Sequence, residues 1–321
     1  MTDTVNQPPP PAPRLRTPSL AHRLQYGALR VFIGALGTMG RGPAIRAGAA
    51  LGALGFRPLR IRRRVVERQI AAAFPDLDRA AVGRLALQAY EHLGRVTVET
   101  ALLSRMGTSD VIDLVERTDG WDILERYRDA GNGLLVVSGH LGNWELGAAY
   151  LAANGHHVDA VVRRMGNPLF DGYLTRTRSR LGMTVVRDRE AVRRTPRTLR
   201  DGGTVALLID QAGLNIASTY VPFFGRPAKT PRGAAVFALR LGVPLVFGAV
   251  LRQPNGRYRI FIEDIAIEST GDVDRDVDAL AARYTAALER YVRRAPEQYF
   301  WHHRRWKQQP PDTPPALRDP V

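Results

Sequence analysis

The chain has no cysteine among its 321 residues. That absence excludes disulfides, a thiolate nucleophile and Cys-ligated metal, and it permits a reducing compartment. Lysine is nearly missing as well, occurring only at positions 229 and 307. The net charge of +15 and the isoelectric point near 10.9 therefore rest almost wholly on arginine. Such an excess points to an anionic partner: nucleic acid, acidic phospholipid or a phosphorylated substrate. No uncharged apolar run reaches the ~20 residues that one helix needs to cross a bilayer. Residues 1 to 18, rich in proline, also lack the basic start and apolar core of a secretory signal peptide, and they read as a disordered tail. A second such tail is expected over 308 to 321.

What is present begins with two apolar stretches between residues 20 and 56, interrupted by Arg30, Arg41, Pro43 and Arg46. Apolar surface broken by arginine fits a helical pair lying in a membrane interface, and it fits two core helices of a soluble domain. Arg57, Arg60, Arg62, Arg63, Arg64 and Arg68 follow at once, a polybasic run of the kind that anionic lipid attracts. Residues 79 to 105 and 121 to 130 have helical periodicity. Beyond them, GNGLLVVS, HHVDAVVRR, LGMTVV and GTVALLID read as four strands with helical segments between. VPLVFGAVLR and GRYRIFIED form a strand pair joined at Pro254-Asn255-Gly256, and a last helix spans roughly Val273 to Arg294. The alternation predicts an α/β fold, a mainly parallel central sheet with helices on both faces.

The centre of the chain is GHLGNWELGAAYLAANG, residues 139 to 155. It leaves the strand Leu134 to Val137 through a glycine-rich turn and continues with helical spacing at Trp144, Leu146, Ala148, Ala149, Leu151 and Ala152. Asn143 is a good N-cap, which puts Glu145 in the first turn at the favourable end of the helix dipole. His140, in the preceding loop, can fold back over that turn and hydrogen-bond Glu145. A neutral imidazole oriented by a carboxylate removes a hydroxyl proton near neutral pH, and ligands of open α/β sheets bind at strand carboxyl ends. The residues alone also allow His140 to be an ordinary turn residue. Arg163 and Arg164 end the next strand, and Asp210 and Gln211 end another. A metal held by His140, Glu145 and Asp210 is the weaker option, since no second spaced His joins them.

Five blocks carry a family resemblance. HLGNWE resembles the H-x-x-x-x-[DE] block of glycerolipid acyltransferases and, in its Glu form, that of the bacterial lipid A late acyltransferases (lauroyl and myristoyl transferases) and their mycobacterial relatives that acylate phosphatidylinositol mannosides. RRRVVERQIAAAFPDLD (62 to 78), VVRRMGNPLFD (161 to 171), DQAGLNIASTYVPFFGRPAKTPRGAAVFALRLGVPLV (210 to 246) and PEQYFWHHRRWK (296 to 307) are similar to further blocks of that family, in the same order. Gln69 stands where the family usually has Asn, and Arg164 where it has Pro.

The resemblance implies a glycerol-3-phosphate-acyltransferase-like fold, with membrane-associating helices and the polybasic segment at 19 to 68, the acyltransferase domain at 69 to 307, and tails outside. It implies direct transfer of a fatty acyl chain from an acyl thioester, on acyl carrier protein or coenzyme A, to a hydroxyl of a membrane glycolipid such as a lipid A precursor, at the cytoplasmic face of the inner membrane. A phosphatidylinositol mannoside or another glycolipid is the alternative acceptor. His140 is then the general base and Glu145 its orienting carboxylate, with no cofactor and no metal. Arg163 and Arg164 bind phosphate or an oxyanion, and Asp210 and Gln211 either support the reacting groups from behind or bind the acceptor. Phe223 and Phe224 are expected to line or abut the acyl chain's tunnel, with ordinary core residues as the alternative, and Lys229 and Thr230 to open a helix beside a headgroup or carrier phosphate. A protein that binds nucleic acid or membrane without catalysis would also explain the charge, but it leaves polar residues at three strand ends without a purpose; no nucleic-acid partner is expected.

Overall fold

The computed structural model describes residues 17–211 and 216–321. The disorder expected for the N-terminal tail falls mainly on residues 1–16, outside the described residues. Four helices come first: α1 (Leu20–Thr38), α2 (Arg41–Phe56), α3 (Arg63–Ala73) and α4 (Arg79–Leu102). Then follow α5 (Thr108–Asp113), β1 (Val115–Asp119), α6 (Trp121–Asp129), β2 (Leu134–Ser138), α7 (Trp144–Ala153), β3 (Val158–Val162), α8 (Pro168–Arg180), β4 (Met183–Arg187), α9 (Asp188–Arg200) and β5 (Thr204–Leu208). The chain closes with β6 (Ser218–Phe223), β7 (Arg226–Pro231), α10 (Gly233–Leu241), β8 (Leu245–Arg252), β9 (Tyr258–Asp264) and α11 (Val273–Arg294). Seven strands make one sheet in the order β1-β9-β8-β2-β5-β3-β4, parallel throughout except for the β8–β9 hairpin. The fold is mixed α/β with a central sheet flanked by helices, as the alternation of patterns predicts.

Both faces of the sheet are buried, which is why its central strands read as continuous apolar runs. Successive side chains of a strand point to opposite faces. Leu135 and Val137 of β2 accordingly join one core with Phe247, Ala249, Leu280, Tyr284 and Leu288, under α11. Leu134 and Val136 join the other with Leu124, Leu146, Ala149, Ile260 and Ile262, under α6 and α7.

Three strands lie outside the expected set. β1 is a polar edge strand, Val-Glu-Arg-Thr-Asp, with no alternation to reveal it. The antiparallel hairpin of β6 and β7 contains Pro222, Pro227 and Pro231, residues that argue against a strand. Pairing only with each other, these two strands can place their prolines where no ladder donor is required. Their turn is Phe224-Gly225, both with positive φ (51° and 68°), the backbone of a tight primed turn. Lys229 and Thr230 therefore lie on a strand, and the helix they were expected to open starts at Gly233.

Residues 308 to 321, read from the sequence as a disordered tail, are packed on the domain. Arg304 pairs with Asp319, the Arg226 guanidinium donates to the Arg318 carbonyl at 2.9 Å, and Gln309 Nε2 donates to the Leu317 carbonyl at 2.8 Å. Proline forbids regular elements there, but it does not forbid docking through side chains and carbonyls.

At the N-terminal end, α2 and α4 approach backbone to backbone through Gly48, Gly52 and Gly94; a Cβ on Gly94 would lie 2.0 Å from the Gly48 carbonyl oxygen. Leu20, Leu24 and Val31 form an exposed stripe on α1, and Leu51, Leu54, Leu59 and Ile61 are exposed nearby in sequence, among Arg57, Arg60, Arg62 and Arg64. No helix among the described residues is long and apolar enough to cross a membrane.

Candidate active site

The site is set by strand register. β2 and β5 are adjacent and parallel, with Ser138 opposite Leu208. Two residues beyond each partner come His140 and Asp210. His140 Nδ1 lies 2.7 Å from Asp210 Oδ1, and the His140 backbone N–H donates to Asp210 Oδ2 at 3.0 Å. Both carboxylate oxygens are thus used to place one histidine. The Gln211 amide stands 3.3 Å from the same Nδ1. With Nδ1 facing the carboxylate, the imidazole is held in the tautomer that leaves Nε2 as the acceptor.

The loop between β2 and α7 is fixed from below. Gly142 has φ +60°, and a Cβ there would stand 1.8 Å from the Val250 carbonyl oxygen, so this position accepts only glycine. The Asn143 N–H donates to that Val250 carbonyl at 3.0 Å, the Phe300 N–H to the His140 carbonyl at 2.9 Å, and the Gly142 N–H to the Gln298 carbonyl at 3.0 Å. Asn143 caps α7 as the sequence predicts, its Oδ1 accepting from the Leu146 N–H at 3.0 Å. The ring of Trp144 meets that of His140 edge-on, with centroids 4.8 Å apart.

Glu145 lies in the first turn of α7, where it was expected, but its carboxylate does not bond His140. Both of its oxygens accept from Arg178 of α8, at 2.9 Å from Nε and 2.5 Å from Nη2. The carboxylate that orients the imidazole is Asp210, to which the sequence reading gave either a supporting role behind the reacting groups or acceptor binding; the geometry is that of the first. Arg178, which the sequence reading did not single out, belongs to the site through its paired contact with Glu145. Its position on the face of α8 towards α7 follows from tertiary packing, and local spacing carries no sign of it.

Electrostatics separate His140 from its counterparts. Burial disfavours its imidazolium, but the Asp210 charge and hydrogen bond, with Glu145 farther off, outweigh burial and raise its pKa above the ordinary value. Burial would raise Asp210, yet His140 and the Arg305 guanidinium hold it down to about 2. His92, His302 and His303 are each pushed down to about 4, chiefly by burial. Of these four histidines, His140, which is half-buried, is therefore the one whose basicity is enhanced.

A cavity opens between α7 and the sheet. Ser138, Trp144, Glu145 and Arg178 line it at the strand carboxyl ends, and Ala148, Ala160, Ala206 and Gly248 are among the small residues that leave its apolar interior free. Phe223 and Phe224 do not line it. Phe223 is fully buried, with Trp306 and Tyr299 at ring distances of 6.0 and 5.8 Å, and Phe224 packs on Phe74 at 5.1 Å. They belong to the core on the other face of the sheet, with Val137 rather than Val136.

The remaining expected residues are spread out. Arg163 is largely exposed, with Asp188 at 4.0 Å, and Arg164 is exposed. Thr230 is fully buried, and the Lys229 carbonyl and Thr230 hydroxyl accept from Arg305. Among the described residues no group of three His, Cys, Asp or Glu side chains is placed to hold a metal ion.

Comparison with known proteins gives a family match over residues 16–308, to the bacterial lipid A biosynthesis acyltransferases. The chain is 27% identical to a lipid A biosynthesis lauroyltransferase of Escherichia coli K12 over 84% of its own length and 87% of that protein's. It is likewise 27% identical to the E. coli lipid A biosynthesis palmitoleoyltransferase, covering 82% and 84%. It is 26% identical to a phosphatidylinositol mannoside acyltransferase of Mycolicibacterium smegmatis, covering 76% and 79%.

The geometry dictates a pH dependence. A base works unprotonated, so kcat/KM should fall as pH drops through a His140 pKa lying above the ordinary ~6.5. Asp210→Asn removes the charge that raises it, so the acid limb should move to lower pH. The rate should also drop on the order of 10²-fold or more, because an amide donor at Nδ1 forces the proton onto Nε2. Glu145→Gln should move the limb less. Profiles of kcat/KM against pH for the three proteins decide the matter; a limb displaced by Glu145→Gln and unmoved by Asp210→Asn would reverse the assignment.

Proposed function

For a chain that belongs to the bacterial lipid A biosynthesis acyltransferase family, and is thereby an acyltransferase, we propose transfer of a fatty acyl chain from a thioester to a hydroxyl of a membrane glycolipid, with His140 as general base. The observation that carries this reading is the position of the His140–Asp210 pair beside the polar end of an apolar cavity. His140 Nε2 takes the acceptor's hydroxyl proton as its oxygen attacks the thioester carbonyl. Asp210 holds the tautomer and stabilises the imidazolium, which returns the proton to the sulfur as the tetrahedral intermediate collapses, so that the C–S bond breaks and the thiol leaves. The acyl chain lies in the cavity under α7. The pair Glu145–Arg178 keeps two charges fixed at its mouth, where the oxyanion develops. Arg163 and Arg164, exposed beyond Val162 of the cavity wall, are suited to a phosphate of the donor or acceptor.

Acyl carrier protein or coenzyme A supplies the donor in this reading, and the preferred acceptor is a lipid A precursor, because the relatives named for lipid A biosynthesis match the chain over more of its length than the mannoside enzyme does. The exposed stripe of α1 and the arginines of 57 to 64 support peripheral attachment to an anionic membrane, with the site on its cytoplasmic side.

Three outcomes test these statements. His140→Ala should fold and lose the ~10² to 10⁴-fold that a positioned base contributes; near wild-type transfer by the purified variant would sink the mechanism. A Cβ on Gly248 would meet only ordinary contacts at 3.6 Å, so Gly248→Val should fold while filling part of the cavity, and shift preference to shorter acyl donors. Phe224→Ala, by contrast, should cost about 3–5 kcal/mol of stability and leave chain preference unchanged. A competition assay with mixed chain lengths separates the two variants. Replacing Leu24 and Val31 together by Glu should weaken binding to anionic vesicles in flotation assays by at least about tenfold, since two buried apolar side chains are worth several kcal/mol; unchanged flotation would remove α1 from the interface.

A further inference from the structure

We propose that Arg305 is a positioning residue for the His140–Asp210 pair, its buried guanidinium supplying the cation whose field keeps Asp210 ionised while its segment braces the loop that carries His140. Arg305 is 4% exposed. Nη1 donates to the Lys229 carbonyl at 2.5 Å and Nη2 to the Thr230 hydroxyl at 2.6 Å, and the guanidinium carbon lies 5.4 Å from the Phe223 ring centroid. All of these partners are neutral, and among the described residues no carboxylate forms an ion pair with it. Yet a guanidinium cannot shed its charge as a buried lysine can, so a burial this complete requires a compensating anion.

The groups whose fields reach Arg305 are Asp210 beyond β5, Tyr299 in the closing segment and Tyr284 on α11. Burial raises both phenols well above their ordinary range, so neither carries charge at neutral pH. Asp210 is left as the counter-charge. It is thus shared between Arg305 and His140, and the neutral His303 also faces it.

The mechanical connection runs through the same residue. The Arg305 N–H donates to Gln69 Oε1 at 2.8 Å, and Gln69 Nε2 donates to the carbonyls of Trp301, at 2.9 Å, and His303. Gln69 is fully buried on α3. The segment it clamps ends, on its other side, in the Phe300 N–H bond to the His140 carbonyl and the Gln298 carbonyl that receives the Gly142 N–H. Residues 298 to 305 are therefore strung between two fixed points, with the loop that carries His140 at one and Arg305 at the other.

The test has one arm that rests on the acyl-transfer reading and one that does not. In the first, kcat/KM is followed against pH for wild type, Arg305→Lys and Arg305→Met. Loss of the cation leaves a more negative field at His140, so the acid limb of Arg305→Met should move up by about one pH unit, with lowered kcat/KM. Arg305→Lys keeps the charge and should keep the limb, at a reduced rate. A role confined to packing lowers rate and melting temperature in both variants with the limb unmoved, and that result overturns the proposal. In the second arm, melting temperatures of Asp210→Asn, Arg305→Met and the double variant form a cycle. The double variant should lose less than the two single losses combined, because each single change strands a buried charge. Additive losses overturn the coupling. If Arg305→Met alone fails to fold, the double variant should recover folding, and its failure to do so is equally adverse. Absence of turnover by the wild type with thioester donors would strike the acyl-transfer reading and leave the stability cycle to judge Arg305.

Discussion

Asp210 is a carboxylate with 2% of its surface exposed, and the arrangement of the site depends on keeping it charged there. Taking such an ion out of water costs several kcal/mol after relaxation, so the fold must supply partners at fixed positions. It does so through sheet register. Ser138 and Leu208 are opposed on adjacent parallel strands, and equal two-residue extensions bring His140 and Asp210 together. Slipping β5 by one residue against β2 would turn its side chains to the other face and separate the pair. The geometry of the His140–Asp210 pair and the buried core are thus fixed by one register, and neither can be altered without the other.

This dependence explains which parts of the site could be read from the chain. His140, the N-cap Asn143, α7 and the strands β2 to β5 are written in local patterns, a few residues long, and they stand where those patterns put them. The partner of His140 is not local. Sequence reasoning favours Glu145, five residues away, because proximity in the chain is visible and strand order is not. The actual partner is 70 residues on, made a neighbour by β5 pairing with β2. Glu145 in turn finds Arg178, 33 residues on, across the packing of α8 against the first turn of α7. His140, Glu145 and Asp210 were legible as residues, whereas their pairings, and the place of Arg178 among them, required the fold.

The same distinction governs the two phenylalanines. An apolar pair beside a glycine between polar strand ends suggests a ligand wall, but a wall has a side. Phe223 ends β6, whose pairing with β7 aims it into the core beneath α11. Phe224 is held at positive φ in the turn, its N–H donating to Glu289 at 2.6 Å and its ring against Phe74 and Trp301. Prolines concealed that hairpin from the sequence reading. The cavity lies on the opposite face, where Gly147, Ala148, Ala160, Ala206 and Gly248 have side chains too small to meet one another. Space inside a protein is often signalled by small residues rather than by the large ones that border it.

The N-terminal helices connect with this geometry through α8. Asn167, at the start of α8, caps it by accepting from the Leu169 N–H at 3.0 Å, and its amide donates at 3.1 Å to the His22 carbonyl and to Gln25 on α1. Tyr26 of α1 packs against Phe170 and Tyr173 of α8, with ring centroids 6.2 and 6.4 Å apart. One helix thus carries both the contacts that seat α1 and the arginine that fixes Glu145 at the cavity mouth. Between them runs about three turns of helix, a stiff element whose interior hydrogen bonds do not yield independently. Any surface on which the exposed stripe of α1 rests is consequently held at a set angle and distance from that mouth. In the proposed reaction this would matter more than affinity, because an acceptor hydroxyl anchored in the same surface would approach the imidazole from one direction only, and positioning of the reactants is itself a large part of the barrier to be removed.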